Sequence, residues 1–139
     1  MLKLLFKIFT AVIFFISISL DCGGNLKGEG SHDFYLYSKS SQSKIITLSE
    51  SEANCFFYFK RDLKGECVVF YDIERVEKLL LDLSATKIFT EKGEDFYCEY
   101  YYSPKISNCL FINGEKVNLH VSYSNNNIRV ATPLIFGSF

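Results

Sequence analysis

The sequence predicts an α+β domain: one helix packed on a curved antiparallel sheet, a meander, with an export signal in front. Three observations carry this reading. The chain begins with a short basic and then uncharged apolar run. A single stripe of apolar residues at helical spacing lies near the middle. The last third alternates apolar and polar residues between strong turn signals.

Residues 1–21 form the first segment. Lys3 and Lys7 precede an uncharged run of thirteen residues, Ile8 to Leu20. That length fits the apolar part of a signal peptide and is short for a membrane span. Three fates follow from the residues around its end. Ser17 and Ser19 allow simple cleavage near Leu20. Cys22 is the candidate for lipid attachment, although Asp21 stands where a small residue belongs. An uncleaved segment would instead remain as a membrane anchor. All three place the rest of the chain outside the cytoplasm, and the membrane is expected to meet it only through this segment.

Residues 22–53 read as a polar linker. Gly and polar residues dominate 21–33, and serines dominate 38–54. Two apolar islands, Phe34 to Tyr37 and Ile45 to Leu48, are candidate short strands. The folded domain is expected over 54–139. Within it, Cys55–Lys60 and Glu66–Tyr71 are aromatic and β-branched runs on either side of Asp62-Leu63-Lys64-Gly65, which reads as a hairpin.

Asp72 then has the character of a helix N-cap. Ile73, Val76, Leu79, Leu80 and Leu83 recur at i, i+3, i+4 and i+7, which predicts a helix over 73–84. Strands are predicted from Thr86 to Thr90 and from Asp95 to Tyr102. The second puts Phe96, Cys98, Tyr100 and Tyr102 on one face and Tyr97, Glu99 and Tyr101 on the other. Leu110 to Ile112 leads into Asn113-Gly114, a strong hairpin signal. In the strand Lys116–Tyr123, the expectation is that Val117, Leu119, Val121 and Tyr123 point inward. Asn118, His120 and Ser122 would then point outward. Ile128 to Ile135 forms the last strand.

The stretch Asn113-Gly114-Glu115-Lys116-Val117-Asn118-Leu119, followed by a strand, a polar turn and Val130-Ala131-Thr132-Pro133-Leu134-Ile135, resembles the C-terminal signature of YwmB-like proteins. The similarity covers roughly residues 66–136. It implies a bacterial extracytoplasmic protein with a TATA-box-binding-protein-like fold and no established catalytic residues. Ala131 stands where that family pattern has Gly, and the N-terminal half is shorter here. The fold name does not carry DNA binding with it.

Charge argues against nucleic acid as a partner. Cleavage after Leu20 removes Lys3 and Lys7 and leaves 13 basic against 16 acidic residues, a net charge of −3. A phosphate-tracking domain needs a clustered basic excess. No glycine-rich phosphate loop is present, since Gly23-Gly24 follows no strand. No cofactor motif is found.

Four cysteines remain after Cys22: Cys55, Cys67, Cys98 and Cys109. In an exported domain they are candidate disulfides, with Cys55–Cys67 stapling the first hairpin and Cys98–Cys109 the meander. Buried reduced thiols are the alternative. No CxxC pair or Cys/His cluster suggests a metal. His120, on the outward phase of its strand, and His32, in the linker, have no orienting partner for nucleophilic catalysis. The acids Glu91, Glu94, Asp95 and Glu99 read as a solvated hairpin end rather than a glycosidase pair.

The remaining candidate is a partner-binding face formed by Tyr97, Glu99 and Tyr101, left open if the helix covers the Phe96 face. The expectation is therefore a non-enzymatic secreted or cell-envelope protein that binds a protein or cell-wall component through this open sheet face. A small secreted hydrolase and a membrane-anchored structural or signalling protein are the rival classes.

Overall fold

The computed structural model describes residues 26, 28, 30–36, 44–56 and 63–135, with residues 1 and 7. Apart from Met1 and Lys7, the segment read as an export signal lies outside the described residues, as does Cys22. Among the described residues no helix is long and apolar enough to cross a membrane.

The domain is built on one seven-stranded antiparallel sheet carrying two short helices. The elements are β1 (His32–Leu36), β2 (Lys44–Leu48), α1 (Glu50–Phe56), β3 (Leu63–Phe70), α2 (Ile73–Asp82), β4 (Thr86–Lys92), β5 (Tyr97–Tyr102), β6 (Leu110–Ile112), β7 (Glu115–Val117), β8 (Leu119–Tyr123) and β9 (Ile128–Thr132). The spatial order is β2-β1-β3-β9-β8-β5-β4, while β6 and β7 pair separately as a small hairpin. Its turn places Asn113 and Gly114 at φ 52° and 84°, the left-handed pair that Asn-Gly supplies at little cost.

Asp72 caps α2, its carboxylate accepting the Glu74 N–H at 3.0 Å. At the other end Ser84 takes a positive φ of 52°. Its N–H donates to the Leu81 carbonyl and that of Ala85 to the Leu80 carbonyl, each at 2.9 Å. This is a Schellman stop with serine where glycine is usual. The stripe read from the sequence buries Val76 and Leu79 against Val68, Phe70, Leu119, Val121 and Val130, with Leu80 and Leu83 packed at its edge.

The first hairpin is corrected. Cys55 and Phe56 end a helix, not a strand, and 57–60 lie outside the described residues. The reason is local: the Glu52 side chain reaches back to cap the helix start at Ser49. The Glu52 carboxylate accepts both the Ser49 N–H at 3.0 Å and the Ser49 hydroxyl at 2.6 Å, and so starts a helix at Glu50. The neighbours of β3 are instead β1 and β9.

The sheet also begins earlier than residue 54. Phe34 to Leu36 and Ile45 to Leu48 lie in strands, and β1 lies between β2 and β3 with Phe34, Tyr35 and Leu36 buried. Leu26 is buried in the main core, and its N–H donates to Glu66 at 3.1 Å. A Cβ on Gly30 would stand 1.8 Å from the Val69 carbonyl oxygen, so only glycine lets this segment run so close to β3. His32, read as a linker residue, is buried in β1 with its Nε2 donating to the Gly28 carbonyl at 3.1 Å.

The sheet is covered on both faces at its centre. α2 and Leu26 lie on the side of Val68, Val121 and Tyr101. On the opposite side Cys98, Tyr100 and Val117 pack with Phe89, Ile112 and Leu134, so the β6–β7 hairpin and the C-terminal strand exit close that face. The predicted outward set is corrected accordingly: Asn118, His120 and Ser122 are all buried. Asn118 separates β7 from β8 in what reads as one strand.

Candidate functional site

The two-residue period of β5 puts Tyr97, Glu99 and Tyr101 on one face, as expected. It is the face that α2 covers, not the open one: Tyr101 is in the core with Val76 and Leu79. Glu99 is only 5 % exposed and Tyr101 7 %, whereas Tyr97, at the strand end, is 37 % exposed. The expectation of an open Tyr97–Glu99–Tyr101 face is thus corrected to an open end, because helix and sheet close over the other two residues.

Antiparallel register adds two residues to the set. Tyr101 lies opposite Lys87 on β4, and Tyr97 opposite Tyr123 on β8. Both are diagonal to Glu99 and within reach of its carboxylate. The Glu99 carboxylate accepts hydrogen bonds from the hydroxyls of Tyr101 at 2.6 Å, Tyr97 at 2.9 Å and Tyr123 at 2.9 Å, and pairs with the Lys87 ammonium. Burial pushes the Glu99 carboxyl up. Hydrogen bonds from Lys87, Tyr101, Tyr97 and Tyr123 together outweigh it and hold its pKa at about 2. The same carboxylate raises the Lys87 ammonium, which stays charged.

With its donors supplied, Glu99 acts as an anchor. It fixes the Tyr97 and Tyr123 rings at a centroid distance of 5.3 Å, tilted by 52°. Beyond these rings the β4–β5 and β8–β9 turns border a shallow depression of about 590 Å³. Phe96 joins the two tyrosines there, and Lys92, Glu94 and Asp95 bring charge of both signs. The Phe96 ring lies so close to Gly93 that a Cβ on that residue would meet it at 2.1 Å. The turns are closed by Gly93 N–H to Phe96 carbonyl and Ser124 N–H to Asn127 carbonyl bonds, each 3.0 Å.

The other candidates are dispersed. Glu91 leaves the Glu99 face and accepts the Tyr100 hydroxyl at 2.9 Å, while Glu94 and Asp95 are exposed in the turn. His120 stacks on Tyr100 at 4.5 Å, and its Nδ1 accepts the Ile135 N–H at 3.3 Å. Burial pulls its pKa down to about 4 against a small opposing effect of Glu91. Its ring is committed to holding the C-terminal segment rather than exposed on a strand.

Cys67 and Cys98, buried, and Cys109, half-buried, stand as free thiols in this structure. Cys67 faces β1 and β9 across the sheet, opposite Asp33 and Ala131, not a strand bearing Cys55. The Cys55 side chain lies outside the described residues. Burial pushes Cys67 up to about 12 and raises Cys98 as well, which keeps both protonated and unreactive. Among the described residues no three metal-ligating side chains converge.

No protein-family model matches the chain, no curated protein matches it, and no solved structure matches its fold.

Lys87 and Tyr123 escaped the sequence reading because they join Glu99 only through strand register. The alternation of β5 was visible. The bulge between Lys87 and Phe89, which sets the β4 side chains against β5, was not.

Proposed function

We propose that the protein is a non-enzymatic extracytoplasmic binding domain that engages a cell-wall partner through the aromatic end of its sheet, at Phe96, Tyr97 and Tyr123. The observation that carries this reading is the Glu99 network, which holds two tyrosine rings rigidly beside an open depression. Rings fixed before binding lose little freedom on contact, and aromatic side chains provide much of the contact energy at such surfaces. The signal-like front of the chain supports a place outside the cytoplasm.

On this reading the chain is a YwmB-like protein. Support comes from the Asn113–Leu119 and Val130–Ile135 motifs, whose residues form the hairpin turn, the buried Asn118 and the closing strand β9.

The test is cosedimentation of the exported protein, purified from its producer, with purified bacterial sacculi. The protein is expected to pellet with them, and the Phe96→Ser/Tyr97→Ala double variant to stay in solution with an unchanged circular dichroism spectrum. Equal pelleting of the two would refute the site.

A further inference from the structure

The depression at the sheet end has a composition that selects among ligand classes. Lys92 stands among Glu94 and Asp95, so the depression offers no cluster of one sign with which to recognise a highly charged ligand. A peptide added as a strand would need a row of unpaired backbone groups. Here the backbone at the depression turns back on itself through the Gly93–Phe96 and Ser124–Asn127 bonds. A wholly apolar ligand would use the rings alone and leave the exposed carboxylates, the ammonium and the Asn125 amide around them without a role.

What remains is a neutral molecule with hydroxyls that both donate and accept and with flat C–H faces. From this we infer that the depression is a subsite for an uncharged oligosaccharide. The inference rests on the proposed wall-binding role and names its ligand class. Sugar faces lie on the Phe96 and Tyr97 rings. The carboxylates of Glu94 and Asp95 accept from hydroxyls, the Lys92 ammonium donates to them, and Asn125 does both. The volume of about 590 Å³ lies within the range of ligand sites and suits a short oligosaccharide rather than a single small group. The Tyr97 and Tyr123 hydroxyls are already bound to Glu99, so their contribution is ring surface and orientation.

The test is an NMR titration of the full exported protein with N-acetylglucosamine trimer and with cellotriose, read at the aromatic ring resonances. Trilysine and triglutamate peptides are titrated alongside. The expected result is a saturable shift of Phe96, Tyr97 and Tyr123 with at least one sugar and none with the peptides. Binding should weaken roughly threefold to tenfold in Tyr97→Ala and measurably in Asp95→Asn, an exposed turn position that leaves the core untouched. Silence with both sugars, or a saturable shift with either peptide instead, overturns the inference. Should the sugars be silent while sacculi still bind in a Tyr97-dependent way, the oligosaccharide assignment falls and the binding face stands. Sacculus binding that ignores Tyr97 removes both.

Discussion

Asn118 holds Ser103 by both amide atoms. Its Oδ1 accepts the Ser103 N–H at 2.7 Å, and its Nδ2 donates to the Ser103 carbonyl at 2.7 Å and to the Ile106 carbonyl at 2.9 Å. Asn118 is fully buried. It therefore fastens the crossing from β5 to the β6–β7 hairpin onto β8. Asn118→Leu keeps the γ-branched shape in a larger volume and strands the buried Ser103 N–H and Ile106 carbonyl, while the Ser103 carbonyl keeps the Ile106 N–H at 3.4 Å. The expected loss is about 2–4 kcal/mol in urea unfolding. A loss below about 1 kcal/mol would show that the clamp is dispensable.

The tyrosines around Glu99 should not be equivalent. Tyr101→Phe removes a 2.6 Å bond inside the core and should cost about 1.5–3 kcal/mol, because hydrogen bonds to charged groups are the strong ones. Tyr97→Phe removes a bond at the wet end, where water replaces the hydroxyl, and should leave the unfolding midpoint unchanged. Equal effects in the two variants would contradict a network closed at one end and open at the other.

Stability should fall in two steps as the solution is acidified. Burial holds His120 down to about 4 from an ordinary value of 6.5, so the unfolded chain binds its proton first. That contribution is complete above pH 6.5 and lost as pH falls towards 4. Glu99, held at about 2 from 4.5, contributes fully above pH 4.5 and loses its share between 4.5 and 2, on the order of 3 kcal/mol. In thermal melts across this range, His120→Gln should flatten the upper step and Glu99→Gln the lower. A melt profile that is unchanged in both variants would refute the assignment.

Ser84 ends α2 at a positive φ with its side chain exposed. Ser84→Gly relieves a left-handed serine and should raise stability by about 0.5–1 kcal/mol, visible as a higher melting temperature. A lower one would mean that the stop is not held by the Leu80 and Leu81 carbonyls.

The helix α2 and the strands after it were legible because each carries one clear period and a specific end signal, from Asp72 to Asn113-Gly114. Three things were not. The aromatic run from Cys55 outweighed the Ser49–Glu52 cap, although that pair is visible in the sequence. The polar look of 26–31 concealed that its glycines pack against Phe70 and Val69 rather than loosening the chain. The alternation in β8 separates two faces but cannot say that both are covered, and so Asn118 and His120 read as exposed. For the site, β5 alone supplied Tyr97, Glu99 and Tyr101; Lys87 and Tyr123 required the register.

The most direct test of the central claim is a tyrosine nitration footprint with and without sacculi, mapped by mass spectrometry. Tyr71, 77 % exposed after β3, is the internal reference, and Tyr97 is the reporter. Both should be nitrated in the free protein, sacculi should protect Tyr97 and not Tyr71, and Tyr101 should stay unmodified throughout. Nitration of Tyr97 at the same rate with sacculi bound, or protection of Tyr71 in its place, would contradict the central claim.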